Sequence, residues 1–219
     1  MFLLKRPSGF TLIELMVAMV VGLIVAAIAM SMYVSLIRAN ATSIQVTRLT
    51  QSLQGALDVM ERDLRRAGYF ANAVSTALNT TLVNPATFTI NDLQRVSAAA
   101  PLYDCILIRY DSNGDGAVSG SDEILGYKFN GSEQSIQFHS WDSVAAQQND
   151  LCNTSSGWNS ITNNGSTSVT ALSFAITPSS GENTMGQRRI TLSITGHSKQ
   201  KSTLSMTLQR DVRLLNDEY

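Results

Sequence analysis

The stretch Lys5-Arg6-Pro7-Ser8-Gly9-Phe10-Thr11-Leu12-Ile13-Glu14-Leu15 begins the segment that decides the fold. From Pro7 to Ile37 the only charged side chain is Glu14, so the run exceeds the roughly 20 apolar residues that a membrane-spanning helix needs. A charge in such a run costs about 2.5–3.5 kcal/mol on insertion, which marks Glu14 as functional and asks for a partner of opposite sign. Gly9 and Phe10 suggest one. A secretory signal places its small-residue cleavage site after the apolar region, whereas Gly9 stands before it, behind a short basic leader. A cut between Gly9 and Phe10 would keep the apolar run and create an α-amine at Phe10, making Glu14 the fifth residue of the mature chain.

The hexamer Gly9-Phe10-Thr11-Leu12-Ile13-Glu14 resembles the processing site of type IV prepilins and type II secretion pseudopilins. The resemblance implies that a prepilin peptidase cuts after Gly9 and methylates the Phe10 amine, and that Glu14 helps subunits assemble. The alternative is a plain signal anchor carrying an incidental acid. A row of small residues at Ala18, Gly22, Ala26 and Ala29 suits either helix packing in lipid or ordinary membrane-helix composition.

The 219 residues divide into a leader (1–9), a membrane or filament-core helix (10–37), its amphipathic continuation (38–68) and a β-rich domain (69–219). The basic leader places the N-terminus in the cytoplasm and the domain beyond the inner membrane. Without that leader, 14 basic side chains stand against 17 acidic ones, which does not favour nucleic acid as a partner. A compartment outside the cytoplasm permits disulfides, and Cys105 and Cys152 are the only two cysteines. They are expected to pair, the alternative being two separate buried thiols. Two Cys and two scattered His lack the spacing of a zinc site.

Helical periodicity continues past the membrane segment through Ile37, Ala41, Ile44, Leu49, Leu53, Ala56, Met60, Leu64 and Ala67. The helix is expected to run from Phe10 to Ala67 and stop at Gly68, where Arg62, Arg65 and Arg66 suit the helix dipole. After Tyr69 the period changes to two. Ile106-Ile108-Tyr110, Tyr127-Phe129, Ile136-Phe138, Leu172-Phe174-Ile176, Ile190-Leu192-Ile194 and Leu204-Met206-Leu208 read as half-buried strands. Asn149 to Ser168, rich in Ser, Thr, Asn and Gly, reads as a long surface loop. The expected class is α+β, with a long N-terminal helix packed on an antiparallel sheet, which resembles the pilin fold.

The segment Arg62-Asp63-Leu64-Arg65-Arg66-Ala67-Gly68-Tyr69 is similar to the corresponding segment of PilW-like minor pilins, and Arg210-Asp211-Val212-Arg213 is similar in kind. That resemblance implies a subunit present at low copy near a pilus tip, helping to initiate the filament. Its implied partners are other minor pilins, the major pilin, prepilin peptidase, the inner-membrane assembly platform and a tip adhesin. A type II secretion pseudopilin and an adhesive or DNA-binding tip module are the rivals. For the last, Arg188-Arg189 and Lys199-Gln200-Lys201 would have to cluster across a hairpin. His139 and His197 have no recognisable nucleophile beside them, and no phosphate loop or dinucleotide fingerprint occurs, so an enzyme and a required cofactor are not expected.

One loop carries metal-type spacing. Asp111, Asn113 and Asp115 fall at positions one, three and five, Gly116 at the turn, Ala117 offers a carbonyl and Ser119 a water-mediated contact. Position twelve is Asp122, with Glu123 one place late. Calcium is the candidate ligand, and a polar hairpin loop is the alternative.

Overall fold

The computed structural model describes residues 9–71, 86, 88–89, 92–95, 102–150, 152, 156–162, 165–177 and 188–216. Lys5 and Arg6 of the leader lie outside them, as do residues 151, 153–155 and 163–164 of the stretch read as a loop. The chain divides into two compact units, Met1–Ile44 and Gln45–Tyr219.

Helix α1 (Leu12–Arg66) begins in the first unit, where its apolar side chains are exposed throughout. It is long and apolar enough to cross a membrane. In the second unit the same helix buries Leu49, Leu53, Ala56, Leu57, Met60 and Leu64. Each of the larger apolar side chains contributes about 1.5–3 kcal/mol by leaving water. The expected stripe therefore begins to be covered at Leu49; Ile37, Ala41 and Ile44 belong to it by spacing but are exposed. Spacing fixes a face of the helix and says nothing of where along it a covering partner begins.

The helix stops as its residues direct. Arg65 and Arg66 occupy the last turn, and Gly68 takes φ +80°, the left-handed conformation that closes a helix C-terminus. A Cβ at Gly68 would stand 2.3 Å from the Asn216 carbonyl oxygen, so the returning chain requires glycine there as well. The Gly68 N–H donates to the Arg109 carbonyl at 3.0 Å, which ties the helix end to the following sheet.

The strands form two antiparallel sheets rather than the single sheet expected. The first joins β1 (Leu93–Gln94), β2 (Cys105–Arg109), β3 (Ile124–Asn130), β4 (Ser135–Ser140) and β5 (Asn159–Ser160) in that order. The second joins β6 (Thr167–Thr177), β7 (Arg189–Ser198) and β8 (Lys201–Arg213). A short helix α2 (Val144–Asp150) follows β4. Within the expected loop, β5 and the start of β6 are strand, and Trp158 and Thr162 are buried. The polar composition misled there because side chains of these types also pair along sheet edges.

The register sets the core. Ile106, Tyr127 and Phe138 lie side by side across β2, β3 and β4. In the second sheet Ile176, Ile190 and Val212 align, as do Leu172, Ile194 and Leu208. These rows and the α1 stripe make one core. A second, smaller cluster holds Phe70, Cys105, Leu107, Val118, Ile124, Trp141, Cys152 and Trp158. Strand β2 is consequently buried on both faces, which its alternation did not indicate. The whole is an α+β arrangement consistent with the pilin fold.

Candidate functional site

The site begins where the helix begins. Gly9, Phe10 and Thr11 precede α1 in non-helical backbone, and Gly9 and Phe10 are exposed. The first helical hydrogen bond runs from the Leu15 N–H to the Thr11 carbonyl at 3.2 Å. Thr11 is therefore the N-cap. The Glu14 N–H donates to Thr11 Oγ1 at 3.3 Å, and Glu14 Oε2 accepts from the Thr11 N–H at 3.2 Å. The Thr11 hydroxyl lies 3.2 Å from the same carboxylate oxygen. This reciprocal pair is a capping box, which satisfies two of the donors a helix start leaves open.

The box gives Glu14 a local role at the helix start. The carboxylate lies in the first turn, at the positive pole of the helix dipole. The bond between Gly9 and Phe10 lies outside the helix. Thr11 was not singled out from the sequence, although the Thr-x-x-Glu spacing at the edge of an apolar run was its signal.

The disulfide forms between Cys105 on β2 and Cys152, with a Cα separation of 6.4 Å. Both cysteines are fully buried beside Trp141 and Trp158. Lys128 donates to the Cys152 carbonyl at 3.2 Å and lies 4.2 Å from the Trp158 ring centroid.

The expected calcium loop has another geometry. The buried Asp111 carboxylate accepts from the N–H groups of Gly114 at 2.7 Å, Gly116 at 3.0 Å and Ala71 at 3.1 Å. Glu123, also buried, accepts from Ser112 at 2.8 Å, Asn113 at 3.2 Å and Ser119 at 2.8 Å. Asp115 accepts from the Ala117 N–H and the Asn113 amide, and Asp122 is exposed. Among the described residues no three His, Cys, Asp or Glu side chains gather where they could hold a metal ion. Six backbone N–H groups donate to the two buried carboxylates and fix their place in the loop, while each carboxylate keeps further lone pairs. The residue turned inward is Glu123 rather than Asp122.

The basic groups proposed to cluster do not. Arg188 and Arg189 stand at the start of β7 and Lys199 and Lys201 at its far end, some 30 Å apart at about 3.3 Å per residue. Arg188 donates instead to the Phe88 carbonyl at 2.7 Å. His139 contacts the Gly157 carbonyl through Nδ1 at 2.7 Å and packs against Trp141 and Trp158; His197 sits on β7 opposite Ser205.

No curated protein and no solved structure matches the chain. Residues 4–30 match the prokaryotic N-terminal methylation motif, which spans Gly9, Phe10, Thr11 and Glu14. The motif and the exposed apolar helix make this a membrane-anchored, pilin-like protein processed by prepilin peptidase. Residues 42–214 match the model of prepilin peptidase-dependent protein B along most of the chain, and the chain belongs to that family.

Proposed function

We propose that this chain is a minor pilin, built at low copy into a type IV pilus near its tip and helping the filament to begin. Before assembly it crosses the inner membrane once, with its N-terminus in the cytoplasm and its β-rich domain in the periplasm. It is a substrate of the peptidase and a structural subunit, and it catalyses nothing itself. The observation that carries this reading is the helix start: a Gly9–Phe10 bond outside the helix, followed at once by the Thr11–Glu14 box and the exposed apolar run.

The mechanism follows from the cost of charge in lipid. Glu14 is expensive beside hydrocarbon, and so is the new amine of an adjacent subunit. Bringing the two together as subunits leave the bilayer neutralises both, while burial of apolar helices against one another offsets the loss of lipid. Other minor pilins and the major pilin supply those helices; the assembly platform and a tip adhesin are the remaining partners proposed.

The test is Glu14→Ala in the full chain, in cells that make the filament. Insertion and cleavage continue, and recovery in sheared filaments falls by about tenfold or more, a loss of at least 1.4 kcal/mol. Recovery at the wild-type level would remove the pairing role. Deleting the chain abolishes surface pili on this reading; loss of protein secretion with pili intact would move it to the secretion pseudopilins.

A further inference from the structure

Asn followed by Gly is open to attack by the chain on itself, because a glycine carries no side chain to crowd the approach of its nitrogen to the neighbouring side-chain carbonyl. The sequence holds three such pairs, Asn113-Gly114, Asn130-Gly131 and Asn164-Gly165, and Asn164 lies outside the described residues. The other two sit in opposite settings. The Gly114 N–H donates to the buried Asp111 carboxylate at 2.7 Å, and the Asn113 amide is held at both ends, Nδ2 donating to Asp115 Oδ2 at 2.9 Å and Oδ1 accepting from the Asp115 N–H at 2.8 Å. In the exposed turn between β3 and β4, Asn130 Oδ1 accepts from the N–H groups of Ser132 at 3.0 Å and Glu133 at 3.1 Å, while the Gly131 N–H meets no acceptor among the described residues.

Two N–H groups on a carbonyl oxygen polarise its carbon and hold the negative charge that forms there under attack, as an oxyanion hole does. We propose that Asn130 is a site of self-modification, at which the Gly131 nitrogen closes on the Asn130 side chain and the amide becomes an acid. Hydroxide takes the Gly131 proton, the nitrogen bonds to Asn130 Cγ, the Cγ–Nδ2 bond breaks, and ammonia leaves with a proton returned by water, giving a cyclic imide. Water then opens the imide. Attack at Cγ yields aspartate; attack at the Asn130 main-chain carbonyl yields isoaspartate, in which the main chain runs on through Cβ and Cγ. At Asn113 the corresponding nitrogen is bound to a carboxylate, and that charge-assisted bond has to break first. The altered turn also joins the two sheets: Gln134, held at φ 52°, accepts from the Val169 N–H at 2.8 Å and from the Ser168 hydroxyl at 2.7 Å.

The test follows the purified full chain in detergent at mildly alkaline pH, by peptide mass mapping for the change of amide to acid and by an isoaspartate-specific methyltransferase for the rerouted main chain. In the folded protein position 130 converts faster than position 113 by about tenfold or more, since only the latter must first break a bond to a carboxylate. In denaturant the two rates draw level, because both pairs are then released. Gly131→Ala melts with the wild type, as its Cβ comes no nearer than 3.7 Å to Phe129 and Gly131 lies outside the left-handed region. The same variant slows conversion at position 130 and leaves position 113 unchanged. Conversion at 113 as fast as at 130 in the folded protein overturns the proposal. Conversion at 130 confined to the denatured protein, or an unaltered rate in Gly131→Ala, overturns it as well.

Discussion

Asp92 and Arg109 show what a buried charge requires of its neighbours. Asp92 Oδ1 lies 2.6 Å from the Arg109 guanidinium, and Oδ2 accepts from the Thr89 N–H and hydroxyl at 2.7 and 3.1 Å. Burial nonetheless outweighs these contacts and holds the carboxyl above its ordinary value of 3.8. The folded state thus binds this proton more tightly than the unfolded state. The group's contribution is full below the unfolded value and is lost as pH rises through the raised folded value. Arg109→Leu removes the largest influence opposing burial and pushes the carboxyl higher still. The variant is expected to lose about 3–5 kcal/mol at neutral pH, because a buried charge is left unpaired. Near pH 4 the loss is smaller, since more of the carboxyl is then protonated. Denaturant titrations of the full chain in detergent at the two pH values check this; an equal loss at both would mean that Asp92 does not carry the effect.

At the scale of elements, the Asp111–Glu123 loop separates what spacing records from what surroundings decide. The oxygen-bearing residues occur at metal-type positions, but β2 and β3 close the loop so that backbone N–H groups turn inward to the two buried carboxylates. A sequence pattern lists side-chain donors and is silent on main-chain ones. On the hairpin-loop reading the thermal midpoint of the full chain is the same in millimolar calcium and in chelator. Asp111→Asn lowers stability by about 1–3 kcal/mol in either, through the loss of charge-assisted bonds. A calcium-dependent rise in midpoint that Asp111→Asn removes would establish the metal reading instead. The long helix was legible because Pro is absent between Pro7 and Pro85 and Gly68 is present, so its two ends fall within two residues of expectation. The two-residue strands β1 and β5 were not legible. Neither is long enough to show a period, and each exists only because a longer neighbour offers an edge.

Across the whole domain, alternation at Ile106-Ile108, Leu172-Phe174 and Ile190-Leu192 located the principal strands, but period two assigns a side chain to a face and not a strand to a sheet. The division into two sheets, and the second apolar cluster behind Leu107, depend on contacts between distant segments. The disulfide joins two of those segments across a sequence separation of 47 residues. Closing a loop of that size removes unfolded-state entropy worth about 4 kcal/mol on the chain-entropy model. The chain has only two tryptophans, and Trp141 and Trp158 both belong to the cluster that contains the disulfide, so their fluorescence reports that cluster and no other. Cys105→Ala/Cys152→Ala is expected to lower the fluorescence-detected midpoint by roughly 4–20 °C, the equivalent of about 2–5 kcal/mol for a domain of this size. Because both sulfurs are buried, reductant added to the folded protein leaves the fluorescence unchanged until the domain is unfolded. Thiol labelling of unfolded, unreduced protein is the companion measurement. Two labelled cysteines per chain, or a double variant that melts with the wild type, would show that the cluster stands without the bond.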